Sequence, residues 1–195
     1  LAMEEISAAD GGIANLMAAN NSPVLAALRE HGTAAQKRRF FPKLTTGEMI
    51  GCIALTEPHT GSDAAAIRTR AERRGDYFVL NGHKSFITAG RRAGVVMIVA
   101  VTDPDAGKRG ISTFLTPTDN PGYKVLREEA KLGHRTNDTC AIAFEDMMVP
   151  ATDLLGAEGR GLGIALANLS AGRIGVAAQA VGGARAAFEA ALNYA

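Results

Sequence analysis

The run Ala54-Leu55-Thr56-Glu57-Pro58-His59-Thr60-Gly61-Ser62-Asp63 joins hydroxyls and acids to turn-forming residues just after a short apolar stretch. A loop of this type can offer backbone N–H groups and the Thr56 and Ser62 hydroxyls to a polar ligand. The same residues also make an ordinary turn, closed by Ser62 and Asp63 through side-chain to backbone bonds. Spacing alone favours that plainer reading. In Phe86-Ile87-Thr88, period two places Phe86 and Thr88 on one face and Ile87 on the other. An aromatic plate beside a hydroxyl suits a flat heteroaromatic ligand. Taken alone, it is better read as a strand with a core phenylalanine. Gly156-Ala157-Glu158-Gly159-Arg160-Gly161-Leu162-Gly163 is glycine-rich and opens a helix, a setting that can bind phosphate. It lacks the Gly-Lys-Ser/Thr ending of a P-loop and has no βαβ frame, so a flexible turn is favoured. Lys131 to Asn137 gathers donors and reads as a solvated loop between strands.

The elements that must position these groups fall into three zones: 1–47, 48–155 and 156–195. The first is helical. Ser22-Pro23 predicts a helix start, with a capping side chain followed by proline at the first turn. Gly32 ends that helix, and Thr33-Ala34-Ala35-Gln36 matches a capping box for the next. The second zone switches to period two. Ile50–Leu55 and Gly94–Thr102 predict buried strands, and 111–115, 123–126 and 139–145 predict further ones. Asn81-Gly82 between 76–80 and 83–88 predicts a hairpin with a two-residue turn. Strands with no helix between them imply an antiparallel sandwich or barrel. The third zone is Ala-rich and helical. Leu162, Ala165, Leu166, Leu169, Ile174 and Val176 give it an apolar face whose partners are expected outside the chain.

Composition narrows the function classes. The 195 residues are 47% hydrophobic and 21% charged, enough to bury a core. Lys+Arg number 21 and Asp+Glu 20, a balance that argues against a nucleic-acid-coating or polybasic membrane surface. Two cysteines make no disulfide framework, and four scattered histidines make no metal cluster. The uncharged stretch 11–28 carries Asn15, Asn20, Asn21, Ser22 and Pro23, so membrane insertion is not expected there. The opening residues fit a chain that begins within a longer protein, and the uncapped Asn193-Tyr194-Ala195 ending fits one that stops within it.

Taken in order, Thr56-Glu57-Pro58 with Gly61-Ser62-Asp63, Asn81-Gly82-x-Lys84, Ile87-Thr88, Phe144-Glu145-Asp146 with Val149-Pro150, and Gly172-Arg173-Ile174-Gly175 resemble acyl-CoA dehydrogenases, most closely the short-chain and branched-chain members. The resemblance covers essentially the whole chain. It implies an α+β fold: the tail of an N-terminal helical domain, a central antiparallel β-barrel or sandwich domain, and the first helix of a C-terminal helical bundle. It implies FAD as cofactor, with Ile53, Ala54, Leu55, Thr56, Gly61, Ser62, Phe86, Ile87 and Thr88 along the flavin. It also implies an acyl-CoA substrate met by Ser62, Ser170, Ala171, Gly172 and Arg173.

The implied reaction is α,β-dehydrogenation of a short- or branched-chain acyl-CoA, with electrons passed to an electron-transferring flavoprotein. The family's catalytic base is a glutamate in the C-terminal domain, and no residue here matches it. A homo-oligomer, dimer or tetramer, is implied as well. A bacterial cytoplasm or a mitochondrial matrix is the implied setting. This chain departs from the family at Phe86, where tryptophan is usual, at Thr60, where a smaller residue is usual, and at Ser170, where many members have aspartate. Two rival readings share the scaffold: a non-catalytic flavin- or CoA-binding relative, and a flavin oxidase or monooxygenase.

Overall fold

The computed structural model describes residues 1–195. Helices lead: α1 (Ala2–Ala9), α2 (Gly11–Ala19), α3 (Ala26–His31) and α4 (Ala34–Thr46). Their ends have local causes. Asp10 Oδ1 accepts the Ile13 N–H at 2.8 Å and caps α2. The capping box forms: Gln36 N donates to Thr33 Oγ1 at 3.1 Å and Thr33 N donates to Gln36 Oε1 at 2.9 Å. A cap of this type stabilises a helix by about 1 kcal/mol. Ser22 does break the helical run Asn20–Leu25 with extended backbone (φ −142°, ψ 111°). Its hydroxyl, however, donates to the Asn168 carbonyl at 3.2 Å instead of capping.

Seven strands form one curled sheet: β1 (Gly51–Ala54), β2 (Arg70–Arg74), β3 (Tyr77–Thr88), β4 (Val95–Val101), β5 (Ile111–Pro117), β6 (Tyr123–Glu128) and β7 (Thr139–Pro150). The order is β1-β4-β2-β3-β7-β6, and β5 pairs with β4. Most pairs are antiparallel, but β1 runs parallel to β4 from Gly51↔Val95 to Ala54↔Ile98, so the sheet is mixed. The apolar run in β4 is explained by burial on both faces. Val96, Ile98 and Ala100 enter an inner core with Phe78, Leu80, Phe114, Ile142 and Phe144. Val95 and Met97 pack instead with Val24, Leu28, Phe40 and Leu44 from the leading helices.

The predicted hairpin at Asn81-Gly82 does not form. β3 runs straight through it, and the two-residue turn is Gly75-Asp76, between the paired residues Arg74 and Tyr77. Gly75 has φ 61°, which meets that turn's need for a left-handed residue. Asn81 and Gly82 serve a different purpose. Asn81 Nδ2 donates to Asp146 Oδ1 at 3.0 Å, and Asp146 N donates to Asn81 Oδ1 at 2.9 Å, across an irregularity in the β3–β7 pairing. A Cβ on Gly82 would lie 2.8 Å from the Thr69 Cα, so glycine is needed there for close backbone approach. The charged strand β2 carries no apolar alternation, and the sequence gives no signal for it.

The chain ends in α5 (Gly161–Tyr194). It finds partners within the chain. Ser7 Oγ donates to the Gln179 carbonyl at 2.7 Å, Gln179 Nε2 donates to the Gly11 carbonyl at 2.7 Å, and Arg185 pairs with Glu5 at 2.7 Å. This α1-facing side is small and polar, whereas Ile174, Val181, Phe188 and Leu192 are exposed. By length and composition α5 is apolar enough to cross a membrane; in this fold it packs on α1, α3 and the sheet.

Candidate functional site

β1 and β3 end side by side, and α5 passes opposite them. Between them lies a cavity of about 310 Å³, near the lower end of the range for small-molecule sites. β1 and the segment after it contribute Ile53, Leu55 and Thr56, and the following loop adds Gly61, Ser62 and Ala64. The end of β3 contributes Phe86, Ile87 and Thr88; α5 contributes Leu166, Leu169 and Arg173; Ala19 closes the end of α2. Most of the sequence-selected residues therefore meet at one place. Ala54 does not border the cavity, because it turns into the inner core and is fully buried. Ser170, Ala171 and Gly172 stand beside Arg173 on α5 but outside the lining. The Ser170 hydroxyl donates to the Leu166 carbonyl at 3.0 Å within the helix.

The loop after β1 is held by a buried ion pair that the sequence reading missed. Lys84 Nζ makes three bonds: to Glu57 Oε1 at 2.8 Å, to the Val99 carbonyl at 2.8 Å and to the Leu55 carbonyl at 3.0 Å. All three ammonium protons are thereby satisfied. Glu57 also accepts the Arg68 N–H at 2.7 Å and the Thr69 N–H at 2.9 Å. The Ser85 N–H donates to the Thr56 carbonyl at 2.9 Å and ties the loop to β3. Burial pulls the Lys84 ammonium down to about 8, with the Glu57 charge opposing the shift. For Glu57, burial works against ionisation, but the Lys84 charge and the hydrogen bonds outweigh it and hold the carboxyl below its ordinary range. The signal for this pair lies in β3. Read as one strand, period two carries the inward phase from Phe78 and Leu80 to Lys84, and a lysine on a core face requires an acid partner.

The phase then slips. A bulge between Lys84 and Ile87 leaves Phe86 64% exposed and Ile87 buried. Phe86 takes φ 59° and Ala89 φ 60°, both left-handed without being glycine. Behind this edge, the Ala89 N–H donates to the Asp138 carbonyl at 2.9 Å and the Arg91 N–H to Asp138 Oδ2 at 2.8 Å. Tyr123 Oη donates to the Gly90 carbonyl at 2.7 Å.

The site is chemically open to a flat, polar-edged ligand. The Thr60 hydroxyl is used within its own loop, donating to the Asp63 carbonyl at 2.7 Å. The hydroxyls of Thr56, Ser62 and Thr88 have no partner in the chain and stand at the cavity. They leave donors and acceptors free beside an exposed aromatic ring, a set that fits a stacked heteroaromatic ring system with polar edges. No glutamate borders the cavity. A larger hollow of about 820 Å³ opens at the start of α5, lined by His31, Arg109 and the 156–160 loop, but it gathers none of these groups. In that glycine-rich loop the Gly159 N–H is already bound to Ser112 Oγ at 2.9 Å and the Arg160 N–H to the Ala157 carbonyl at 3.2 Å.

The N-terminal domain model of acyl-CoA dehydrogenases matches residues 1–48, and the middle domain model matches residues 52–147. A mouse protein, short-chain specific acyl-CoA dehydrogenase, mitochondrial, is 43% identical over 195 residues, covering 100% of this chain and 47% of that protein. A chain in the structure described as the electron transferring flavoprotein of Acidaminococcus fermentans superposes with TM-score 0.97 at 41% identity, over 99% of this chain and 51% of that one. A glutaryl-CoA dehydrogenase from Mycobacterium smegmatis in complex with FADH2 superposes with TM-score 0.91 at 36% identity, over 99% of this chain and 48% of that one. The chain spans about half the length of the curated relatives it matches, which include bacterial and mitochondrial proteins.

Proposed function

Because the chain belongs to the acyl-CoA dehydrogenase family, we propose that the protein carrying it oxidises short- or branched-chain acyl-CoA thioesters to 2-enoyl-CoA with FAD, electrons then passing to an electron-transferring flavoprotein. The observation that carries this reading is the meeting of Thr56, Ser62, Phe86, Thr88 and Arg173 at one cavity between the sheet and α5. The short-chain name of the mouse relative supports the substrate class, and the FADH2-bound neighbour supports the cofactor. The Acidaminococcus neighbour supports the electron acceptor.

Bound FAD would supply a two-electron acceptor for the hydride that leaves the β-carbon. The chain's own residues do the holding. Phe86 offers a ring face for stacking, and Thr56 and Thr88 offer hydroxyls to the polar edge of the ring system. Ile53, Leu55 and Ile87 keep the sheet side apolar, while Gly61 leaves room for backbone approach. Ser62 would offer its hydroxyl to both the flavin and the thioester, and on α5 Arg173 would offer a cation to the anionic coenzyme A portion, flanked by Ser170, Ala171 and Gly172. Donors fixed where negative charge develops are each worth roughly 3 kcal/mol of barrier in enzymes of known mechanism. The α-proton would be taken by a glutamate in the half of the relatives that this chain does not span. Glu57 is not that base, since it is locked against Lys84.

An anaerobic titration of the FAD-loaded protein with butyryl-CoA and isobutyryl-CoA tests the reading. Bleaching of the oxidised flavin band with enoyl-CoA formation is the expected result. Flavin that binds but stays oxidised with both thioesters would favour the binding-only relative. Fast reoxidation of the reduced, product-bound flavin by oxygen would favour the oxidase or monooxygenase.

A further inference from the structure

We propose that Tyr123 and Asp138 are positioning residues: they latch the Ala89–Arg91 turn and thereby fix the Phe86–Thr88 edge of the cavity. The inference rests on reading that cavity as the flavin site. Neither residue borders the cavity, so each acts through the turn. The turn needs holding. Phe86 (φ 59°) and Ala89 (φ 60°) both adopt left-handed backbone, a conformation that persists in non-glycine residues only where surrounding contacts over-determine it.

The contacts that do so converge on three successive residues. Asp138, 2% exposed, takes the Ala89 N–H through its carbonyl and the Arg91 N–H through Oδ2, at 2.9 and 2.8 Å. Tyr123 Oη takes up the carbonyl of Gly90, the residue between them, at 2.7 Å. A second support fixes the carboxylate itself: the Cys140 thiol donates to the same Oδ2 at 3.3 Å. The turn also packs closely on β7, since a Cβ added at Gly90 would lie 2.8 Å from Cys140 Cβ. Thr88 directly precedes the latched residues, so its hydroxyl and the Phe86 ring inherit their placement from β6 and from the residue that leads into β7.

Tyr123→Phe is the sharpest test, because it removes one hydroxyl and keeps the ring packed against Phe144, 6.1 Å between centroids. In the FAD-loaded protein carrying this sequence, the FAD dissociation constant is expected to rise about five- to tenfold, the scale of one lost hydrogen bond. Flavin reduction by butyryl-CoA is expected to slow by a similar factor while the KM for the thioester stays near wild type. In the ligand-free protein, the Ala89 and Arg91 amides are expected to exchange about tenfold faster with solvent, on the same scale. Asp138→Asn keeps an acceptor for the Arg91 N–H and should retain most of the wild-type behaviour, whereas Asp138→Ala should not. If the alanine variant fails to fold, Tyr123→Phe decides. A lower melting temperature with FAD affinity, reduction rate and exchange all unchanged would overturn the latch. Wild-type protein that takes up no FAD would overturn the cofactor reading, whereas unchanged exchange of the Ala89 and Arg91 amides in the ligand-free variant would overturn the latch.

Discussion

On one side of the cavity, Thr56 and the Phe86–Thr88 edge hang from a sheet in which Lys84 and Glu57 are closed together with side chains 0% and 3% exposed. On the other side, Leu166, Leu169 and Arg173 stand on α5, all exposed to solvent along the cavity face. The sheet wall is fixed by polar bonds between residues distant in sequence: Lys84 reaches Leu55, Glu57 and Val99. On the helix wall the side chains at 166, 169 and 173 are brought to the cavity by helical spacing, and polar bonds from the leading helices hold α5 elsewhere along its length, at Asn168, Gln179 and Arg185. Damage should therefore register as lost stability on the sheet side and as lost binding on the helix side.

The largest effect is expected from Lys84→Met. It leaves the Glu57 carboxylate buried without its cation, and breaking a buried pair in this way typically costs about 3–5 kcal/mol. Urea denaturation of the chain measures it; a loss under 1 kcal/mol would show that the pair does not fix this wall. The pair also sets an acid limit. The folded pKa of Glu57 is depressed, so below its ordinary value of 4.5 the folded chain binds fewer protons at this group than the unfolded chain does. Its contribution is present above that pH and is lost as pH falls further. Stability measured from pH 6 to pH 3 should drop more steeply in the wild type than in Lys84→Met/Glu57→Gln.

The same contrast explains what the sequence reveals. Motifs that act locally are legible: the capping box at Thr33–Gln36, the apolar run of β4, and the small, hydroxyl-rich loop after β1. Groups that act by long-range pairing are not. Asn81-Gly82 carries a strong local turn signal, yet its amide is used by Asp146, 65 residues away. That local turn signal masks the continuous β3, and with it the inward phase of Lys84. Tyr123 and Asp138 give no local signal at all, because their partners are main-chain atoms of the Ala89–Arg91 turn.

A smaller effect separates two neighbouring glycines on α5. Adding a methyl group to a helix glycine ordinarily stabilises it by about 1 kcal/mol. At Gly183 nothing lies within 4 Å of such a methyl group, so Gly183→Ala should follow that rule. At Gly182 the methyl carbon would sit 2.1 Å from the Glu4 carbonyl oxygen, so α1 must shift. Gly182→Ala should reverse the sign and cost about 1–3 kcal/mol. Thermal melts of the two variants check this. Equal shifts would mean that α1 does not hold α5 in place, and the helix wall would then have no anchor along that stretch.

The smallest stability effect, and the sharpest separation of the walls, belongs to Arg173. Unlike Lys84, which is buried behind the sheet wall, Arg173 is a cation that lines the cavity; it is exposed and joins none of the chain's ion pairs. Lys84 has its charge fully answered inside the protein; Arg173 has its charge free for an anionic ligand. Arg173→Ala should therefore leave stability within about 0.5 kcal/mol of wild type, as expected for an exposed residue without partners. In the FAD-loaded protein it should weaken butyryl-CoA binding while leaving FAD affinity unchanged, because the flavin-facing groups stand on the opposite wall. Isothermal titration with butyryl-CoA, beside a urea melt of the same variant, measures both quantities. A variant that loses stability but keeps thioester affinity would make Arg173 a second structural cation and remove the difference between the walls.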